Sequence, residues 1–473
     1  MDMIARLANE IFFWAAWIII PLIIEIIPAV GNFFILLFKR VRLAKDIKLD
    51  YLPNITLMIP VYNSGQTLYR CIESVDHSTY PNHLIEIMLV DNGSKDDSFE
   101  IFQKAQIAFP ELAMWWMHSK QGKSKALNKA IFNSNGKYII NIDSDGVLDE
   151  NALMNIVRQF ETYPDIDCMT GVILIEPALI EETRGFFLKQ FRKLEFMEYA
   201  QAFLAGRNFE SQFNSIYTLS GAFSSFRKSV LMKTFLYNTN TICEDTHLTF
   251  QIRAILKKKV HLCNDAIFMV DPIESVNKFY TQRQRWQIGE LEVSHMFLKN
   301  QLHNPIRGYF SDFVIRLLMT DHTFAFPRMI WYFVLIALGC INYNFHNVMV
   351  ACVLIYALYV FSSFLYYLNI ISFLRGYPSL RRYYARKLLY LFALPIFNLF
   401  AFFVRFAGII NSIKRKSSWK TLTFTEERKM VNETVKHDFF FIFHIRALLL
   451  KILEKPVKLP KKRRAHGKRV QTI

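Results

Sequence analysis

Apolar and polar positions divide this chain into three stretches. Ile11 to Phe38 is apolar apart from one charge, Glu25, and is long enough to cross a bilayer with tilt. Pro21, Pro28 and Gly31 would equally let it kink into a re-entrant hairpin. From 51 to 300, short β-branched runs alternate with stretches of helical spacing. Asn54 to Tyr62, Ile85 to Val90 and Tyr138 to Ile142 read as buried strands, and Gln66 to Ser74 as a helix. This alternation predicts an α/β domain on a mostly parallel sheet. Apolar character then returns. Met329 to Ile341 and Asn347 to Phe373, split at Asn342 to His346, predict a helical hairpin, and Leu388 to Ile410 a third apolar segment.

The division predicts five parts: an N-terminal membrane anchor (1–50), an α/β domain (51–300), an interfacial helix region (301–328), a transmembrane region (329–411) and a basic tail (412–473). Asp312, Arg316 and Asp321, interleaved with Phe313, Leu317 and Leu318, suggest the interfacial helix. Lys39, Arg40, Arg42, Lys45 and Lys48 follow the first apolar stretch, whereas only Arg6 precedes it within the first ten residues. The positive-inside rule therefore puts the α/β domain in the cytosol of a multi-pass cell-membrane protein. The C-terminal patches conflict. Arg375 to Lys387 and Lys414-Arg415-Lys416 both favour the cytosol, yet one apolar segment lies between them. Either that segment lies in the interface or re-enters, or one patch is outside.

Composition fits this picture. Of 473 residues, 52% are hydrophobic, too many for an ordinary soluble enzyme and too few for an all-membrane transporter. The formal net charge is +17, and the tail from Lys455 holds eight Lys/Arg without an acid. No nucleic-acid motif accompanies the charge, so anionic membrane lipids are the expected partner rather than nucleic acid. The six cysteines lack metal-type pairing.

Candidate chemistry sits where strands end. In parallel sheets ligands bind at the carboxyl ends of strands, where Asp91 and Asp143 stand. Two carboxylates in Asp143-Ser144-Asp145 suit one hard cation, Mg²⁺ or Mn²⁺, shared with substrate phosphates; the plainer reading is a solvated turn. Gly122-Lys123, opening a helical stretch, can bring backbone and point charge to a phosphate, or be an ordinary helix start with exposed lysines. In Thr241-Ile-Cys-Glu-Asp-Thr246, one carboxylate is a candidate general base for a sugar hydroxyl, or an N-cap; local sequence does not choose. Gln282, Arg285 and Trp286 share helical spacing. Gln and Arg can donate to a diphosphate and Trp can stack on a sugar, although Trp and Arg are also ordinary on an interfacial helix.

In this order the motifs resemble those of membrane-embedded family-2 glycosyltransferases, the group containing poly-N-acetylglucosamine, cellulose and hyaluronan synthases. The likeness runs from about Pro60 to Trp286. A narrower resemblance is to the glycosyltransferase group found with exosortase G in Gram-positive bacteria. The family-2 resemblance implies a GT-A fold (Rossmann-like, α/β, nucleotide-sugar binding) with α-helical transmembrane segments, a UDP-sugar donor and inversion at the anomeric carbon. By resemblance, Pro60, Tyr62, Asp91, Lys123, Asp143, Gln282 and Arg285 face the donor nucleotide or its diphosphate. Asp143 and Asp145 hold the metal, Gly221 and Trp286 face the acceptor, and Asp245 rather than Glu244 is the base. Two departures stand out: Asn92 replaces a common second Asp, and Cys243 replaces Thr in the T-E-D triplet. Trp419-Lys-Thr and the Thr-rich stretch after it resemble a cytosolic gating loop. Expected partners are the donor, a carbohydrate or lipid-linked acceptor and membrane lipids, with room for a small membrane partner subunit. Alternatives are single-sugar transfer to a lipid carrier and an inactive scaffold of a polysaccharide export complex; the intact motif set argues against the scaffold. The donor sugar is not readable, because selectivity rests on pocket shape.

Overall fold

The computed structural model describes residues 14, 27–41, 49–212, 214–298, 334–335, 337–341, 345–414, 423–429 and 433. Most of the first apolar stretch, the interfacial region 301–328, most of the basic tail and the Trp419 segment lie outside them. Residues 1–421 make one compact unit and 422–473 another. In the second, Thr423 and Glu426 cap a short helix reciprocally, each main-chain N–H bonded to the other's side chain (2.8 and 3.3 Å).

In the first unit, helix α1 (Ile27–Val41) precedes β1 (Ile55–Val61), α2 (Leu68–Asp76), β2 (Ile85–Asp91), α3 (Ser98–Ala108), β3 (Ala113–His118), α4 (Lys123–Asn133), β4 (Tyr138–Ile142), β5 (Gly146–Leu148), α5 (Ala152–Thr162) and β6 (Cys168–Ile175). Next come α6 (Phe186–Tyr199), β7 (Phe223–Arg227), α7 (Glu244–Phe250), β8 (Val260–Val270) and α8 (Val276–Leu298). Helices α9 (Phe345–Phe373), α10 (Pro378–Ala385) and α11 (Leu394–Lys414) close the unit. The eight strands form one mixed sheet in the order β3-β2-β1-β4-β7-β6-β8-β5. Strands β1 to β4 run parallel, whereas β7 is antiparallel to both its neighbours.

Burial explains the continuous apolar runs. Every residue of β4 and β6 is buried, because helices cover both faces of a sheet of this kind. The core joins these strands to α2, α4, α5 and α6 and extends to Leu391, Phe397 and Val404 of the C-terminal segment. Register decides what meets at the sheet edge. Val61 pairs with Asp91, and Asp91 with His118. Ile142 pairs with Phe223, which sets the Ser220–Ala222 turn beside Asp143, whose N–H bonds Ala222 O at 3.2 Å.

Two described helices are long and apolar enough to cross a membrane, 345–376 and 394–411. They differ in company. Helix α11 lies along α8 of the α/β domain. Phe397 meets Phe279 and Phe191 at ring-centroid distances of 5.6 and 5.1 Å, and Asn411 donates to Gln284 at 3.4 Å. Between the two helices, Tyr377 donates to Asp265 O (2.6 Å) and Tyr383 to Glu181 (3.1 Å), tying the basic 374–393 segment to the α/β domain.

Candidate active site

The ends of the parallel strands gather the predicted residues. Pro60 lies in β1 beside Val90, and Tyr62, half exposed, follows directly. Asp91 closes β2. It is 8% exposed and accepts bonds from Ser94 N (2.9 Å) and His118 Nδ1 (3.1 Å). Burial would raise its carboxyl, but these bonds prevail and hold it below the ordinary range. The neighbouring Asn92 accepts Gly122 N on its Oδ1 at 2.6 Å, fastening the loop before α4 to the end of β2.

Lys123 opens α4 and turns inward. Its ammonium bonds Asp143 and the Gly221 carbonyl. Burial opposes the charge, yet Asp143 and then Glu244 hold the lysine above its usual range. Lys123 thus braces a carboxylate at the next strand end, where sequence had it facing a phosphate alone. Asp145 lies within the field of Asp143, and burial and that charge push it up to about 6 despite Lys123. Ser64 and Ser144 share a 2.7 Å hydrogen bond that ties the β1 loop to this turn.

The residues fit a hard divalent cation. Asp143 and Asp145 offer only oxygen ligands, and their mutual repulsion is relieved by positive charge. Among the described residues no group of three His, Cys, Asp or Glu side chains forms a full protein cage. That donor set suits an ion completed by phosphate oxygens and water.

Gly221 is the hub between the Asp143–Lys123 pair and Asp245. Its carbonyl accepts from Asn141 Nδ2 (2.7 Å) and Lys123 (3.1 Å), and its N–H donates to Asp245 Oδ2 (3.1 Å). Asp245 Oδ1 accepts Thr246 N at 2.7 Å. The capping alternative for the acidic pair receives no support here. Helix α7 begins at Glu244, so the cap position belongs to Cys243, and no side-chain cap bond forms. Glu244 is buried, and burial raises its carboxyl although Lys123 draws it down. Of the two, Asp245 is joined to the Gly221 turn.

Helix α8 carries Gln282, Arg285 and Trp286 and meets this layer at Cys243. Cys243 Sγ lies 3.8 Å from Arg285 O, and a Cβ on Gly289 would stand 2.2 Å from that sulfur. Only glycine therefore lets α8 approach the Cys243–Asp245 turn so closely. Thr241 adds a 3.2 Å bond to Glu292. Gln282 bonds Tyr199. Trp286, partly buried, meets Phe203 edge-on at 6.3 Å and carries the Arg283 guanidinium 4.5 Å from its ring. Arg283, 2% exposed, also pairs with Glu198 at 2.5 Å.

Sequence reading noted Asn92 only as a departure, without its bond to Gly122, and missed His118, Asn141, Gly221's double role as hub, and Arg283. A polar Asn141 inside the apolar run of β4 was the readable signal. His118 and Arg283 carried none, because their roles depend on strand pairing and helix packing.

Residues 56–235 match the family model described as glycosyl transferase family 2. The chain is similar to the poly-beta-1,6-N-acetyl-D-glucosamine synthase of Staphylococcus epidermidis, at 26% identity over 260 residues, 54% of this chain and 59% of that one. Against the same-named synthase of Staphylococcus aureus (strain COL) identity is 24% over 285 residues, covering 58% and 64%. The chain thus spans less than two thirds of the length of these relatives. In fold it resembles the solved mannosyltransferase PcManGT from Pyrobaculum calidifontis, in complex with GDP-Man and Mn2+, with a TM-score of 0.53, 15% identity, and 80% and 99% of the two chains covered.

Proposed function

From a chain whose residues 56–235 form a family-2 glycosyltransferase domain, we propose that the protein transfers a sugar from a UDP-sugar to a growing polysaccharide or oligosaccharide at the inner face of the membrane. The observation that carries the proposal is the continuous bonded path Asp143–Lys123–Gly221–Asp245 at the sheet edge. It supports a reading in which Asp143 and Lys123 neutralise the diphosphate and Asp245, at the other end of the path, accepts the proton.

Asp91 receives the nucleobase, between Pro60 and Tyr62 on one side and His118 on the other. Asp143 and Asp145 would hold Mg²⁺ or Mn²⁺, which supplies charge neutralisation to the departing diphosphate. Lys123, Gln282 and Arg285 add donors toward the same charge. Asp245 takes the proton of the acceptor hydroxyl while its oxygen attacks the anomeric carbon. The bond from that carbon to the UDP oxygen breaks, and UDP leaves with the bonding pair. Gly221 and Trp286 face the acceptor. The names of the relatives make UDP-N-acetylglucosamine the first donor to test.

The packing of α11 along α8 supports a membrane arrangement in which α9 spans and α11 lies in the interface. Both basic patches flanking α11 then stay on the cytosolic side, removing the conflict that sequence alone left open. An impermeant thiol reagent applied to intact cells should spare a cysteine placed at exposed Lys104; modification there overturns the orientation.

The test of function is incubation of purified, detergent-solubilised protein with a panel of UDP-sugars, with and without EDTA, scoring UDP release and product mass. Metal-dependent chain products support the reading. Full activity in excess EDTA removes the metal, and a single added sugar at all times favours transfer to a lipid carrier.

A further inference from the structure

Away from the strand ends, three lysines converge on one carboxylate. Lys189 Nζ lies 2.9 Å from Glu181 Oε2, and Lys193 and Lys387 each lie 3.5 Å from Oε1. The lysine side chains are only 28, 13 and 10% exposed, while Glu181 is 44% exposed. Tyr383 donates to the same Oε1 at 3.1 Å, and its ring carries the Lys387 ammonium at 4.1 Å. Each ammonium has more than one N–H to place, and one carboxylate with the Glu181 carbonyl, bonded by Lys189 at 2.6 Å, cannot receive them all. The cluster is therefore cationic in excess. Glu181 is drawn down to about 2 by its lysines and Tyr383, against burial. Lys387 is lowered by burial and then by Lys193, as expected for a cation short of anions.

The surroundings indicate which anion fits. Phe186, Lys189 and Lys193 share one stripe of α6 by their spacing, and Phe186 and Phe187 are 71 and 87% exposed. Directly after Lys387, Leu388, Leu389 and Phe392 are 45, 77 and 57% exposed. Half-buried Lys189 and Lys193 and buried Lys387, which lies in the segment joining the two long apolar helices, stand beside exposed apolar side chains and match the boundary between headgroups and acyl chains. A free phosphate has no use for the apolar shoulder.

We propose that Lys189, Lys193 and Lys387 form a binding site for the phosphate of an anionic phospholipid, which seats the α/β domain against the segment joining α9 to α11. This rests on the membrane reading above and assigns a site that shares no residue with those proposed for sugar transfer.

The experiment uses the full chain in neutral detergent. Its unfolding temperature is titrated with dihexanoylphosphatidylglycerol, dihexanoylphosphatidylcholine or inorganic phosphate. The glycerol lipid should act at lower concentration than the choline lipid. K189Q/K193Q should raise its half-maximal concentration roughly fivefold for each lysine removed, the usual worth of a cation at an anionic surface. K233Q/K259Q, which removes equal charge from exposed positions outside the cluster, should leave it unchanged. If the double variant unfolds, K193Q keeps two lysines on Glu181 and should show the single roughly fivefold step. Equal potency of the two lipids, equal loss in the control variant, or full replacement by inorganic phosphate each overturns the site. Flotation of wild-type protein with phosphatidylcholine vesicles reports the membrane reading separately: its failure discards that reading, whereas flotation without a lysine effect discards only the site.

Discussion

Gly221→Ala isolates the geometry of the proposed base. The backbone there is not left-handed, so alanine brings only a methyl group. That Cβ would stand 3.0 Å from Asp245 Oδ2, against ordinary contacts of 3.4 Å and more. The carboxylate must therefore retreat by about 0.4 Å, stretching its 3.1 Å bond from Gly221 N to about 3.5 Å, the limit of a useful hydrogen bond. A misplacement of about 1 Å costs on the order of a hundredfold in rate, so roughly tenfold is expected here. The obstacle is the far end of a side chain, and the Gly221 carbonyl stays in place for Lys123 and Asn141. Folding should fall by no more than about 1 kcal/mol. UDP release with and without acceptor, UDP affinity by calorimetry and the melting temperature would be measured side by side. Acceptor-dependent turnover should fall while UDP affinity holds. Wild-type turnover would refute the assignment of Asp245, and a parallel loss of UDP affinity would move the lesion to the Lys123 brace.

Asp245→Asn keeps the shape but replaces one of the two oxygens that accept Gly221 N and Thr246 N. Stability should therefore fall by about 1–3 kcal/mol with UDP binding kept, while transfer by the folded protein falls by about two to four decades; a folded variant with wild-type turnover would refute a base. Arg285→Ala should slow every turnover by roughly 10²–10³, including donor hydrolysis, whereas Trp286→Ala should spare hydrolysis and shorten the product, as read by product sizing. Glu195 is 1% exposed, and burial pushes it up to about 7 against the pull of Arg283. A raised carboxyl favours its protonated form in the fold, so its contribution is intact at low pH and lost as pH rises through about 7. The melting temperature of Glu195→Gln relative to wild type should accordingly climb by a few degrees between about pH 6 and pH 8; a flat difference would refute the burial argument.

Much of the site was legible because strand ends are legible. Asp91 and Asp143 follow uninterrupted apolar runs, and parallel topology makes the ends of such runs binding positions. The spacing of Gln282, Arg285 and Trp286 likewise fixed one helix. What could not be read depends on pairing between distant segments. Nothing near Gly221 announces that β7 inserts antiparallel beside β4, and only that register brings Gly221 between Lys123 and Asp245. Cap and base were indistinguishable at Glu244-Asp245, since helix start is decided by one residue, Cys243, that has no capping oxygen. The place of Leu388 to Ile410 was open because hydropathy measures affinity for an apolar medium, and Phe191 and Phe279 supply one as lipid does.

The seam between Cys243 and Gly289 has a consequence for how such a chain can diverge. Glycine is already the smallest residue, so position 289 has no room left to yield. Any growth at 243 must be absorbed by sliding α8, and α8 carries Gln282 and Arg285, the residues proposed to hold the departing group. On the proposed roles, selection on the Asp245 turn and selection on the Gln282–Trp286 stretch of α8 act through one sulfur-sized gap. The turn and the helix cannot be repositioned separately without reopening it.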